Sequence, residues 1–180
     1  MALKDNQLKY FGTDGVRGLV GQHPLVPEFV SQLGYAAGKV LSRQTPHPLF
    51  LIGRDTRQSG KMLQNALTAG LTASGASVID LGVIPTPGVA FLVKQIKAKA
   101  GVVISASHNP ANQNGIKIFN EYALKLSKDV ETEIESLLDK PLFLNNNQTN
   151  NFDQLINGAD LRKQYLDYLV NEHQGLNLHG

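Results

Sequence analysis

The stretch Gly101-Val102-Val103-Ile104-Ser105-Ala106-Ser107-His108-Asn109-Pro110 decides the reading of this chain. Its apolar half predicts a buried strand. Asn109-Pro110 must stop the ladder, because proline has no N–H to donate and pushes its predecessor out of the α region. Two hydroxyls and an imidazole therefore leave the end of a core strand together, where open α/β sheets place their chemistry. Adjacent residues on an extended segment point to opposite sides, so His108 is not expected to deprotonate Ser107. Its expected role is to orient the loop or contact a phosphate. Four residues beyond Pro110, Asn114-Gly115 reads as a turn signal and Lys117 follows as a cation that suits a phosphate.

Outward from this stretch, helical periodicity alternates with short apolar runs. Phe29, Val30, Leu33, Ala36, Ala37, Val40 and Leu41 predict a helix over 27–43, opened by Pro27. Leu49 to Ile52 reads as a strand buried on both faces. A helix over 60–74 follows, then a strand over 77–81, and then a helix carrying Val89, Leu92, Val93 and Ile96. This alternation implies right-handed crossover connections and a mainly parallel sheet, and the expected fold is a three-layer α/β/α domain with about four strands. Beyond Ser107, Lys117-Ile118-Phe119 and Ala123 to Leu126 suggest a hairpin. Ser127 is placed to cap a helix through 139, with Asp129 and Glu131 near its start. Residues 144–151 are polar and read as a loop or linker, and Leu161, Tyr165, Tyr168 and Leu169 outline a last helix.

Composition narrows the function classes. The 17 basic and 15 acidic side chains are scattered and sum to +2, which is no footprint for nucleic acid. No apolar stretch approaches the roughly 20 residues of a membrane helix. The N-terminus lacks the apolar region of a secretory signal, so the expected compartment is cytoplasmic. Cysteine is absent, which removes disulfides, thiolate nucleophiles and cysteine-ligated metals. Asn147-Gln148-Thr149 matches a glycosylation sequon that has no meaning without secretion.

Two further glycine-containing segments carry cations. Phe11-Gly12-Thr13-Asp14-Gly15-Val16-Arg17-Gly18 reads as a tight turn that either leaves Arg17 on the surface or aims its guanidinium fork at a phosphate. Gly53-Arg54-Asp55-Thr56-Arg57-Gln58-Ser59-Gly60 lies between strand and helix. There Asp55 or Thr56 could cap, the free N–H groups could attract an anion, and Arg54 could pair with Asp55 to fix the loop. No dinucleotide fingerprint or Walker sequence occurs. The hydroxyl of Ser107 suits a phosphate carrier, since a phosphoserine brings almost two negative charges and oxygens able to ligate Mg²⁺.

Taken in order, the segments 11–18, 53–60 and 105–117 closely resemble the α-D-phosphohexomutase family, and the likeness extends over residues 8–170. The opening octet is most similar to members that act on glucosamine phosphates. The resemblance implies a phosphorylated Ser107 that gives its phosphoryl group to a hexosamine phosphate and recovers it from the other end of a bisphosphorylated sugar. Glucosamine 6-phosphate would thereby become glucosamine 1-phosphate, a cell-wall precursor. It also implies that Mg²⁺ touches the Ser107 phosphate, that Arg17 and Lys117 are active-site cations, that His108 is the histidine of the serine loop, and that one strand is antiparallel, which makes the sheet mixed. Ala123 departs from the glycine many members carry. The family's metal-binding Asp-Gly-Asp loop, sugar-reading loop and late phosphate-clamping loop are absent from the chain. The expected organisation is an N-terminal domain over 1–150 carrying the phosphoserine loop, with 151–180 a linker helix leading toward a second domain. The remaining domains of the same polypeptide would then be its partners. Such a fragment alone should be inactive and bind Mg²⁺ weakly. The competing readings are phosphomannomutase or phosphoglucomutase activity, or a non-catalytic binding module of the same fold.

Overall fold

The computed structural model describes residues 8–139 and 155–176. The linker predicted over 144–151 and the sequon at 147–149 lie outside them. Eleven elements follow in order: β1 (Val16–Leu19), α1 (Pro27–Leu41), β2 (Leu49–Arg54), α2 (Gly60–Ala73), β3 (Ser77–Val83), α3 (Thr86–Gln95), β4 (Ala100–Ile104), β5 (Gln113–Asn120), α4 (Lys128–Leu138), β6 (Leu155–Asn157) and α5 (Ala159–Glu172).

The strands form one sheet in the order β1-β5-β4-β2-β3-β6, so six strands stand where about four were expected. β4, β2, β3 and β6 pair in parallel, and β5 runs antiparallel to both its neighbours. The expectation of a mainly parallel sheet with one reversed strand holds. Side-chain alternation separates the two faces. Phe50, Ile52, Val102, Ile104, Ile116 and Ile118 turn toward the layer of α1, α2 and α4. Leu51, Ile79, Leu81 and Val103 turn toward α3 and α5.

Two readings of the second half need correction. Asn114-Gly115 is no turn: both residues lie inside β5, opposite Gly18 and Arg17 of β1. The Asn114 side chain explains why a turn-forming pair is held extended, since it is buried, donates to Ser59 Oγ at 2.8 Å and accepts the Gly115 N–H at 2.8 Å. The hairpin predicted between 117–119 and 123–126 shrinks to a single bridge, Phe119 to Lys125, while residues 117–119 belong to β5 and pair with β4 on their other side. Ala123 takes φ +60, the left-handed conformation that glycine adopts without cost.

Ser127 does cap α4, its hydroxyl accepting the Val130 N–H. The α4 helix also carries an interaction that no sequence pattern announced. Glu135 is buried, and its carboxylate accepts the backbone N–H groups of Lys9, Tyr10 and Phe11 at 2.7–2.8 Å. Charge-assisted bonds of this kind are roughly twice as strong as neutral ones, and here they strap the incoming chain to the helix layer.

Helices α1 and α2 meet backbone to backbone. A Cβ on Gly70 would lie on the Ser31 carbonyl oxygen and 2.7 Å from the Tyr35 nitrogen, and a Cβ on Gly34 would press on the Leu67 carbonyl. These glycines set the distance between the helices, and with it the depth of the core beneath them.

Candidate active site

Ser107 stands where the sequence places it, exposed just beyond the end of β4. Its backbone is not extended. A φ of +57 puts it in the left-handed region, costing a non-glycine residue about 1–2 kcal/mol. In that conformation the His108 imidazole comes round beside the serine, with Nδ1 3.4 Å from Ser107 Oγ. The expected separation of His108 from Ser107 is therefore corrected, although 3.4 Å is long for a working hydrogen bond. The neighbouring hydroxyl serves the backbone instead, with Ser105 Oγ accepting the Ser107 N–H at 3.0 Å.

What holds the strained loop is Arg57, 50–56 residues away in sequence. Its Nη2 donates to the carbonyls of Ser107 (3.0 Å) and Asn109 (2.8 Å), and its Nη1 to those of Pro110 (2.7 Å) and Gln113 (3.1 Å). Its Nε donates to Asp55 Oδ2 at 3.0 Å, while Asp55 Oδ1 accepts the Arg57 N–H. All five guanidinium donors are thus engaged, and the side chain is only 13% exposed. Arg57 is a clasp, with no donor left for an anion. The pairing considered between Arg54 and Asp55 side chains is likewise corrected, because Arg54 turns to Gln64 Oε1 and the Asp55 carbonyl. Helix α2 starts from Ser59, so neither Asp55 nor Thr56 is its cap. Arg57→Lys is expected to speed hydrogen exchange at the Asn109 and Gln113 amides, both bonded within the loop, by about tenfold or more. An ammonium has three donors and no fork, so it cannot span the four carbonyls. Exchange at the wild-type rate would mean the loop holds itself.

Arg17 and Lys117 come together on adjacent strands. Arg17 of β1 sits opposite Gly115, and Lys117 lies two residues further along β5, so register puts both on the α3-side face. Asp14 joins them: its Oδ2 accepts from Lys117 Nζ at 2.8 Å and pairs with Arg17 Nη2. Gly15 makes this approach possible. At φ +88 it lays the turn flat on β5, where any Cβ would run into the Ile116 carbonyl. A bridge from Gly12 to Gly15 closes the turn. The hydrogen bond from Lys117 and the positive charges of Lys117 and Arg17 hold the Asp14 carboxyl below the usual carboxylate range, against the opposing effect of burial. Because its pKa falls on folding, Asp14 contributes stability above its unfolded pKa and loses it as the pH drops through the lowered value. A recess of about 260 Å³ opens beside this group, lined by Phe11, Asp14, Lys117, Phe119 and Lys125.

The serine loop joins the cation-bearing strands through the backbone, the Ser105 N–H donating to the Gly115 carbonyl at 2.9 Å. One end of the sheet thus gathers an exposed hydroxyl, an imidazole, and a guanidinium and an ammonium bridged by one carboxylate. Sequence reasoning missed Asp14, Asp55 and Arg57 as parts of the arrangement. Asp14 lay in view within the glycine turn at 11–18, but nothing local says that Arg57 reaches across to another loop.

The sheet with helices on both faces is an α/β/α domain that carries the exposed hydroxyl and the paired cations at one end. The family model described as phosphoglucomutase/phosphomannomutase, alpha/beta/alpha domain I, matches residues 8–145, and the chain belongs to that family. Among its relatives, the phosphoglucosamine mutase of Pseudoalteromonas translucida is 58% identical over 134 residues, 74% of this chain and 30% of that protein. The phosphoglucosamine mutase of Alcanivorax borkumensis is 47% identical over 172 residues, 96% of this chain and 38% of that protein. A solved phosphoglucomutase/phosphomannomutase family protein from Burkholderia thailandensis superposes with a TM-score of 0.68 at 24% identity, covering 93% of this chain and 36% of that one, and supports the fold alone. The chain spans about a third of the length of the curated relatives it matches.

Proposed function

We propose that this chain is the first domain of a cytoplasmic phosphoglucosamine mutase, with residues 1–150 forming the domain and 151–180 leading to the next. The observation that carries the reading is the clasped serine loop: a strained, exposed Ser107 held by Arg57 at the same end of the sheet as the Arg17–Asp14–Lys117 group. The phosphoglucosamine mutases among its relatives support glucosamine phosphate as the substrate.

The C1 hydroxyl oxygen of glucosamine 6-phosphate attacks the phosphorus carried on Ser107. The new O–P bond forms as the P–Oγ bond breaks, the sugar hydroxyl gives up its proton, and the freed serine oxygen takes one. Once the bisphosphorylated sugar has turned round, Ser107 Oγ attacks its 6-phosphoryl group in the same way. The products are glucosamine 1-phosphate and a restored phosphoserine. Such transfers depend on position and charge. Arg17 offers a fork to phosphate oxygens, Lys117 offsets developing charge or assists proton transfer, and His108 orients the loop.

Mg²⁺, when bound, neutralises charge on the transferring group. An exposed phosphorylated Ser107 fits as one hard oxygen ligand. Among the described residues no group of three or more histidine, aspartate or glutamate side chains is built to hold the ion, and the resemblance assigns its other ligands to the Asp-Gly-Asp loop of a further domain.

The test is turnover by the full-length protein on glucosamine 6-phosphate beside mannose and glucose 6-phosphates, with mass spectrometry of the Ser107 peptide. Preferential turnover of the glucosamine substrate with a phosphorylated Ser107 is expected, and Arg17→Ala or Lys117→Ala should each lower kcat/KM about a hundredfold. A preference for mannose or glucose phosphate would make the protein a phosphomannomutase or phosphoglucomutase. A folded protein with no turnover and a bare serine would make it a binding module.

A further inference from the structure

We propose that Asp14 is a positioning residue that stands in for a substrate phosphate: its carboxylate holds Arg17 and Lys117 together at rest and yields them when a dianionic phosphate arrives. The proposal rests on the mutase reading for the identity of that anion. Three observations carry it. One oxygen, Asp14 Oδ2, meets both cations, as a phosphate oxygen would. The Asp14 side chain is 55% exposed, while those of Arg17 and Lys117 are 25% and 18% exposed, so the anion is the member of the group with room to leave. Arg17 Nε is buried and has no partner among the described residues, so the guanidinium at rest leaves a donor unsatisfied and turning it toward a second acceptor corrects this.

The physical consequence is selection by charge. Two cations with one carboxylate carry a net charge of +1, and a single negative charge gains little by replacing a carboxylate already in place. A dianion gains more, because it satisfies both cations with charge to spare. Asp14 thus keeps the pair at working separation while making it a poor site for monovalent anions.

Inorganic phosphate titrated into the 180-residue chain, followed by NMR at Arg17 Nε–H and Lys117 Nζ, tests this. Asp14→Asn keeps the shape and removes the charge, and it is expected to bind phosphate about tenfold more tightly than the wild type. Asp14→Glu should stay within about threefold of the wild type, since the charge remains. A residue that only built the site would give the opposite sign, with Asp14→Asn binding more weakly as the cations lose their brace. In the wild type, phosphate should shift the Asp14 carboxyl carbon and the Lys117 Nζ signal together, while chloride at equal ionic strength should not. This second measurement needs no variant to fold. Weaker or unchanged phosphate binding by a folded Asp14→Asn, or an Asp14 signal indifferent to phosphate, overturns the proposal. The titration involves no turnover, so a protein that passes it and fails on glucosamine phosphate loses the mutase reading alone.

Discussion

Ser107→Ala in the full-length protein is expected to lower turnover of glucosamine 6-phosphate by at least about a thousandfold and to shift the melting temperature by no more than about 2 °C. The two halves of this expectation have separate causes. Ser107 is exposed, and the bonds that fix its loop run to backbone atoms: its own carbonyl accepts from Arg57 and its own N–H donates to Ser105. Alanine preserves every one of them, so the loop keeps its shape. What disappears is the oxygen proposed to carry the phosphoryl group, and a covalent carrier has no substitute in a neighbouring group. Ser105→Ala should behave differently, removing an acceptor without removing the carrier. Its expected cost is about tenfold, with Ser107 still phosphorylated. Steady-state kinetics with peptide mass spectrometry separate the cases. Wild-type turnover in Ser107→Ala would mean that another group bears the phosphate.

Gly70→Ala is expected to destabilise the domain by about 2 kcal/mol or more, a fall of roughly 4–8 °C in melting temperature by calorimetry. Two effects oppose one another. Alanine gains about 1 kcal/mol over glycine in a helix interior. Against it, the added methyl meets the Ser31 carbonyl and the Tyr35 nitrogen, which are backbone atoms and cannot rotate aside. Helices α1 and α2 must separate, and forced separation in a close-packed core costs more than the propensity gain returns. Gly38→Ala supplies the contrast. Its new methyl would meet Ser74 Oγ, which can swing away at the loss of one hydrogen bond to the Leu71 carbonyl, and Ser74 Cβ at 2.7 Å, which needs only a small shift at the C-terminal end of α2. The expected fall is smaller there, and an equal one would remove backbone contact as the cause.

The helices and inner strands were legible because their causes are local. Period-3.6 burial marks α1, α2, α3 and α5, unbroken apolar runs mark β2 and β4, and a serine followed by acidic residues marks the start of α4. The two added strands had no such signature. β1 reads Val-Arg-Gly-Leu, too polar and short for a pattern, and it exists because β5 offers it an edge. β6 is three residues long and continues the sheet beyond β3. Of the site, Ser107, His108, Arg17 and Lys117 were visible as residue types in motifs. The Arg57 clasp and the Asp14 bridge were not, because both are set by contacts across 50 or more residues or across strand register. The positive φ of Ser107 belongs with them: it follows from what grips the loop, and the sequence Ser-His reads as extended until that grip is known.

The carboxylate of Glu135 gives the order of events during biosynthesis. Lys9, Tyr10 and Phe11 leave the ribosome first, yet the group that fastens them emerges 124–126 residues later. At about 5–20 residues per second this delay is of the order of ten seconds. Strand β1 waits in the same way for β5, and Asp14 for Lys117. A nascent chain can pair β2, β3 and β4 beneath their helices before this, but the corner that joins Arg17, Asp14 and Lys117 cannot close until β5 has been made, and the strap on residues 9–11 not until α4 has.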